Sequence, residues 1–345
     1  MAGWHIRTAG NRLCGVSDEH RQSGPVVVRV ARPEHPVEAV AEDDAARRAA
    51  AYPSLRMGGP LFGHAEDLGD GRWCVRALWD DTPQAARDTL AHRFRERLAE
   101  TTDPALAQDL VAVGRVLDWE KVDEVNVAGR RWRVVRADTF TRFGPDGPES
   151  PRPSDPDSGA AGSAGLYSDR EGVVVDPGAP VGPVQAMVTV DLLSAHYPAA
   201  GVPADVHADS RRALRIHPRG VVLPAGYAVA ECVEGRWRPA SRHLASPQQA
   251  REAIAFKFRY LIPRIGQPTD VQIAAYAQAA DEVEATRANE VKVLDRRFRI
   301  TRIETLLRFD RDGPEPPRPS DHDPEPPPEA HFAQLREQGL LPEPE

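Results

Sequence analysis

The chain has 345 residues, 44 Lys+Arg against 52 Asp+Glu, a net charge of -8, 33 Pro, 26 Gly and 3 Cys. That length gives a prior of about two domains, each able to bury a core of its own. Cys14, Cys74 and Cys232 are too few and too far apart for a disulfide-stapled module or a thiolate zinc site, and they fit a reducing compartment.

Residues 1–23 match nothing else in the chain, and MAGWHIRTAGNRLCG lacks the apolar core of a secretion signal. No uncharged stretch approaches the roughly 18 apolar residues of a spanning helix, so a cytoplasmic protein that does not enter a membrane is expected. Val26–Val30 (VVVRV) reads as a first strand, and an Ala/Arg-rich helix at 44–51 ends at Tyr52-Pro53, because the residue before proline is pushed out of the helical region. Gly58-Gly59-Pro60 turns the chain into a strand at 61–67, paired with another at 71–79 across Gly69-Asp70-Gly71. Thr82 caps the next helix, with Pro83 at its first position and Leu90, Phe94 and Leu98 on one stripe. Leu106, Leu110, Val113 and Leu117 mark a second helix with one buried face. A hairpin follows, Glu124–Val127 turning at Ala128-Gly129 into Arg130–Arg136, after which Val134, Ala137 and Phe140 step by three. That change of phase fits either a bulge or a short helical turn.

Residues 158–183 are rich in Gly, Ala, Ser and Pro and read as a flexible linker. A strand at Ala186–Asp191, a helix at 208–215 and strands at Gly220–Val233 and Arg236–Arg238 come next. Ser246 and Pro247 open another capped helix carrying Ile254, Phe258 and Ile262, and a further helix carries Ile273, Tyr276, Ala280 and Val283. A second hairpin joins Glu290–Val293 to Arg296–Arg302 through Leu294-Asp295. From Pro314 the chain is expected to be extended, with polyproline character, and a Pro-rich tail fills 324–345 with a short helix at 331–338.

These elements fall into two series. Residues 124–157 match 290–323 at a shift of 166, with 20 of 34 positions identical, and TPQAAR at 82–87 answers SPQQAR at 246–251 at a shift of 164. The chain is therefore read as two copies of one unit, 24–157 and 184–323. The order βαββααββ predicts an α+β fold, with helices packed on a mixed or antiparallel sheet in each tandem copy.

YPxLxxGGPxFG at 52–63, DTPQxAR at 81–87 and the GPxxPRPSDxD that closes each repeat together resemble an actinobacterial family of uncharacterised proteins built on a domain of unknown function. Copy two departs from it, with IHPRGVVLPAGY where the glycine pair would stand. The resemblance implies a bacterial, intracellular, non-secreted protein and supplies no activity, cofactor or catalytic residue.

Motifs that carry chemistry are sparse. The eleven histidines form no HExxH and no cluster at ligand spacing, and His64 and His92 face Ala228 and Phe256 at the 164 shift, so no histidine site is shared by both copies. Gly162-Ser163-Ala164-Gly165 lacks the first glycine of a nucleophile elbow, and the glycines at 159, 162 and 165 neither follow a strand nor open a helix. No cofactor, metal or catalytic residue is assigned. Acidic pairs such as Asp67/Glu231, Asp88/Glu252 and Asp138/Glu304 keep charge but not length, which suits ion pairs better than catalysis.

Arginine gives the sharper signal. Arg131, Arg133 and Arg136 recur as Arg297, Arg299 and Arg302, with Trp132 or Phe298 among them. Strand alternation puts Arg131 and Arg133 on an exposed face and Trp132 in the core, which weakens base stacking. Those arginines either pair with carboxylates of the protein, or form an anionic-ligand or partner contact surface. The PRPSD segment is expected to lie as a clasp across its own copy. The leading expectation is a cytoplasmic, non-catalytic interaction or regulatory module with a protein or anionic partner. The rivals are an enzyme or small-ligand binder with an asymmetric site between the copies, and a weak nucleic-acid binder, against which the net negative charge weighs.

Overall fold

The computed structural model describes residues 28–32, 35–157 and 172–342. In the first half, α1 (Pro36–Ala51), β1 (Ser54–Met57), β2 (Leu61–Asp67), β3 (Trp73–Asp80), α2 (Pro83–Glu100), α3 (Pro104–Trp119), β4 (Glu124–Val127), β5 (Arg130–Gly144) and β6 (Gly147–Pro148) follow in order. After β7 (Val173–Val175), the second half holds α4 (Pro183–Ser194), α5 (Ala204–Ile216), β8 (Arg219–Val233), β9 (Arg236–Pro239), α6 (Pro247–Phe256), a π-helical turn Lys257–Leu261, α7 (Ile262–Ile265), α8 (Asp270–Thr286), β10 (Glu290–Val293), β11 (Arg296–Phe309) and α9 (Pro328–Glu337).

The described strands form one curled antiparallel sheet, ordered β7-β3-β2-β5-β11-β8-β9, with β1, β4 and β6 paired to β5 and β10 to β11. Its long strands change partners along their length: β5 pairs with β2 from Trp132 to Ala137, and with β11 from Ala137 to Phe140. The three-residue step after Arg136 is therefore no helical turn; β5 runs unbroken to Gly144, and β11 carries a register shift against β8 between Ile303 and Thr305.

Helices α2 and α3 bury Leu90, Phe94, Leu110 and Leu117 against Trp132 and Val134 of β5. In the second half Ile254, Phe258, Tyr276, Ala280 and Val283 pack on Phe298 and Ile300. Phe94 meets Trp132 edge-on, and Phe258 meets Phe298 edge-on. A third cluster joins the halves across the sheet: Leu61, Val135 and Ala137 with Leu223, Leu307 and Phe309.

Several expectations are corrected. Ala186–Asp191 lies within helix α4. Gly182 and Pro183 start the helix, the Glu42 carboxylate of α1 accepts from the N–H groups of Val184 and Gln185, and Val188 and Leu192 bury one helical face, so packing overrides the β-branched run. Of the strand expected at Val26–Val30, Val26 and Val27 lie outside the described residues, and Val30 makes a single bridge to Val181. Residues 158–171 of the expected linker also lie outside the described residues, but Val173–Val175 pair along β3. The stripe Ile254–Phe258–Ile262 is carried past a π-helical turn: Pro263 has no N–H to donate one turn back, and the Ile262 N–H instead reaches Lys257 O.

Where β5 meets β11, Thr139 faces Thr305, its counterpart 166 residues on, and Phe140↔Glu304 mirrors Asp138↔Leu306. Contacts about this point recur in pairs. Register also fixes the earlier elements: Leu61 pairs with Ala137 and Gly226 with Ile303, while Glu66 pairs with Trp132 and Glu231 with Phe298. The counterpart shift is thus 165 through β2 and β8. Glu66, rather than Asp67, answers Glu231, and His64 answers Val229.

Candidate functional site

Strand β5 sends Arg131, Arg133 and Arg136 toward the segment that follows β11, and β11 sends Arg297, Arg299 and Arg302 toward its own hairpin and the segment that follows β5. Arg133 Nε donates to Glu124 (2.8 Å) and its Nη1 to Pro314 O (3.2 Å), and Arg299 repeats this with Glu290 (2.8 Å) and Pro148 O (3.0 Å). Arg136 Nε bonds both oxygens of Asp321 at 3.0 Å, as Arg302 Nε does those of Asp155 at 3.1 and 3.2 Å. Arg131 pairs with Asp312, and Arg297 with Glu290. The guanidiniums of Arg131 and Arg133 lie over Trp73, and those of Arg297 and Arg299 over Trp237. All six sequence-predicted arginines thus bond carboxylates of the chain. Arg133 is buried, against the expected exposure, as are Arg136 and Arg299, because each leaves its strand beneath a Pro-rich segment.

Those segments cross over, which corrects the expected clasp on each own copy. Residues 148–157 dock mainly on second-half groups and residues 312–323 mainly on first-half groups, while Ser154 still bonds Asp44 and the Ser320 N–H still donates to Asp209 of its own half. Arg251 holds Asp157 at 2.9 Å, and Arg87 holds Asp323 at 2.8 Å. The backbone repeats the exchange: Arg302 N–H donates to Glu149 O, and Arg136 N–H to Glu315 O, both at 2.8 Å. Gly147 and Gly313 are left-handed, and a Cβ at either would strike Trp237 or Trp73 of the other half.

Beneath the crossing lies Asp138, 1% exposed, with Arg136 at 2.5 Å, Arg308 at 2.9 Å and Arg318 at 3.3 Å. Burial pushes its carboxyl up, but Arg318, Arg136 and Arg308 outweigh burial and hold it well below the usual carboxylate range. Asp312 is drawn down to about 2 by hydrogen bonds from Arg133 and Arg131.

A cavity of about 480 Å³ lies at the junction of the halves. Leu61, Leu78 and Trp79 line it from the first half, and Pro224, Gly226, Arg242, His243, Gln249, Glu252 and Thr305 from the second. Register makes Leu61 the counterpart of Gly226. Phe62↔Asp80 answers the Tyr227↔Leu244 bridge, so Leu78 is the counterpart of Arg242 and Trp79 of His243. At those positions apolar groups of one half therefore face polar groups of the other.

The lining is unusual in its pairing. Arg242 is exposed and forms no ion pair among the described residues, unlike the six arginines above. His243 makes no hydrogen bond to a described group; burial pushes its imidazole down to about 4, so it is neutral near pH 7. Its Nδ1 lies 3.2 Å from where a Cβ on Gly226 would stand, so a larger residue there would press on the ring. Among the described residues Glu252 receives only a long hydrogen bond from Gln248, at 3.3 Å, and Gln249 Oε1 accepts from Ala245 N–H at 2.9 Å. Next to Trp79, burial pushes the Asp80 carboxyl up to about 6.

Sequence reasoning did not find Arg242 or His243. They lie on an irregular stretch between β9 and α6, and their one signal was a break in the match between the halves: RH at 242–243 stands where the first half has LW. Among the described residues no group of His, Cys, Asp and Glu is placed to hold a metal ion, and no helix is long and apolar enough to cross a membrane.

Compared with known proteins, no curated protein and no solved structure matches the chain. A family of unknown function, DUF5954, matches residues 35–324, which takes in both halves, both Pro-rich segments and the cavity. With most of its length matched, the chain belongs to that family.

Proposed function

We propose that the protein binds a small ligand in the cavity between its halves, and that the halves are two copies of one unit locked together by their exchanged Pro-rich segments. One observation carries this reading. Contacts of the arginines and segments recur in pairs, whereas the cavity lies where counterparts differ in polarity and where a guanidinium, an imidazole and a carboxylate have few protein partners. A volume of about 480 Å³ lies within the range of small-molecule sites. Engagement of Arg131, Arg133, Arg136, Arg297, Arg299 and Arg302 by carboxylates of the chain supports a structural role for them over an anion or nucleic-acid surface.

The interaction-module reading has separate support. Phe256, Tyr260, Leu261 and Ile265 are exposed on the second half, where the first half carries His92, Glu96 and Arg97 opposite the first three. Fluorescence titration with anilinonaphthalene sulfonate, an apolar anion, separates the two readings. Binding at one site that Ala245→Trp abolishes by filling the cavity is the expected result. Binding unchanged by Ala245→Trp but removed by Phe256→Glu with Ile265→Glu would shift the function to the apolar face.

A further inference from the structure

We infer that the cavity takes a zwitterion with an apolar body, of the chemistry of an apolar α-amino acid or its short peptide; this rests on the ligand-binding reading above. The lining carries both signs of charge. Arg242 contributes a positive group and Glu252 a negative one, and the two form no ion pair with each other or with another described residue. His243 is neutral near pH 7, so it adds hydrogen-bonding capacity without charge.

A ligand bearing only a carboxylate would satisfy Arg242 and be repelled by Glu252. One bearing only an ammonium would meet the opposite difficulty. A ligand bearing both gives each charged side chain a partner, and such charge-assisted bonds are the strong ones. Its apolar body then has Leu61, Leu78 and Trp79 to pack against, with Pro224 and Leu244 beside them. Gln249 turns its side-chain oxygen to the Ala245 N–H, which holds the loop carrying Arg242 and His243 against the start of α6.

The sequence pattern agrees with a purpose-built difference between halves. Leu78 and Trp79 supply an apolar wall at the positions where Arg242 and His243 supply the polar one, so a two-faced ligand finds two unlike faces. A cavity lined alike from both sides would suit a symmetric or wholly apolar molecule instead.

Three probes test this on the full chain by isothermal titration: L-phenylalanine, 3-phenylpropionate, which lacks the ammonium, and phenethylamine, which lacks the carboxylate. L-Phenylalanine is expected to bind at least tenfold more tightly than either analogue. Arg242→Gln should reduce phenylalanine affinity toward that for phenethylamine, and Glu252→Gln toward that for phenylpropionate, with each variant unfolding at the wild-type midpoint. Equal affinity for all three, lost in Ala245→Trp, would overturn the zwitterion while keeping the cavity as a site. Tighter binding of phenylpropionate than of phenylalanine would replace it with a simple carboxylate. Binding of none of the three, together with anilinonaphthalene sulfonate binding that ignores Ala245→Trp, would overturn both the zwitterion and the ligand-binding reading.

Discussion

The two halves of the chain solve one structural problem twice and differ where the problem is not structural. Each presents arginines from its long strand to a Pro-rich segment of the other, each stacks two guanidiniums on a tryptophan, and each anchors the end of the visiting segment on an arginine of its capped helix. Some departures from this pattern sit at buried positions or on the cavity wall. Asp138 replaces a glutamate, His64 replaces a valine, and Leu78-Trp79 replaces Arg242-His243. The departures at Asp138 and His64 lie in buried packing, whereas the one at Leu78-Trp79 lies on the cavity wall.

The buried carboxylates should give the largest contrast. Asp138 touches three guanidiniums, and Arg308, 2.9 Å away, also donates to the carbonyls of Leu192, Leu193 and Ala195. In the other half Glu304 lies 3.0 Å from Arg302, 3.2 Å from Arg152 and 3.5 Å from Arg142. Removing one partner of a buried ion pair costs about 3–5 kcal/mol. Asp138→Asn is expected to reach that range in urea unfolding, with Glu304→Gln costing less. The pH dependence has a definite sign. Asp138 is depressed in the folded state, so its contribution is complete above its unfolded value near ~4 and is lost as pH falls toward the folded value. The gap between wild type and Asp138→Asn should therefore narrow below about pH 4; a gap that stays constant to pH 2 would mean that the ionised carboxylate is not what stabilises the crossing.

Most of the element order was legible in the sequence, because helix caps, proline positions and apolar stripes are local signals: Thr82, Ser246, Phe94 and Phe258 all act as their spacing implies. What is not local was misread. Helix α4 was hidden because MVTV satisfies strand propensity and only packing of Val188, Leu192 and Leu193 reveals the helical face. The arginine-carboxylate alternative was open in the sequence, but the exchange between halves was not, since a repeat predicts the same contacts whether a segment folds back or crosses over. Arg242 and His243 carry no signal of this kind, because the repeated motifs end short of them and the first half has Leu78-Trp79 at the matching place.

A smaller contrast is stored at His64. Both ring nitrogens are buried without a hydrogen bond, the ring lies 6.1 Å from Trp132, and burial, then Arg93 and Arg76, push its pKa down to about 3. A buried polar group without a partner costs about 1–3 kcal/mol, and the second half has Val229 at this place. His64→Val should stabilise by about 1 kcal/mol at pH 7, net of the volume lost. The gain should widen on going to pH 5, because unfolded His64 takes up a proton near ~6.5 and the folded protein does not. Val229→His should destabilise by at least as much. A loss of stability in His64→Val at both pH values would show that the ring is held by contacts that valine cannot replace.

The smallest contrast lies at the two helix caps, and it asks whether the halves behave as independent units. Thr82 Oγ1 accepts from Ala85 N–H and Ser246 Oγ from Gln249 N–H, each at 3.2 Å. Alanine at either site should cost about 1 kcal/mol by orphaning that N–H. Each helix start keeps a second support: Asp323 Oδ1 accepts from Gln84 N–H at 3.0 Å, and Gln249 Oε1 accepts from Ala245 N–H at 2.9 Å. Residual support of similar kind on both sides should make the two losses alike. With no shared partner between the caps among the described residues, the double variant should lose the sum of the two to within about 0.5 kcal/mol, at an unchanged dependence on urea. A loss well beyond the sum would mean that weakening one helix start loosens the other. Asp323 offers the route for such coupling, since it belongs to the second half's segment yet bonds Gln84, Arg87 and Lys121 of the first.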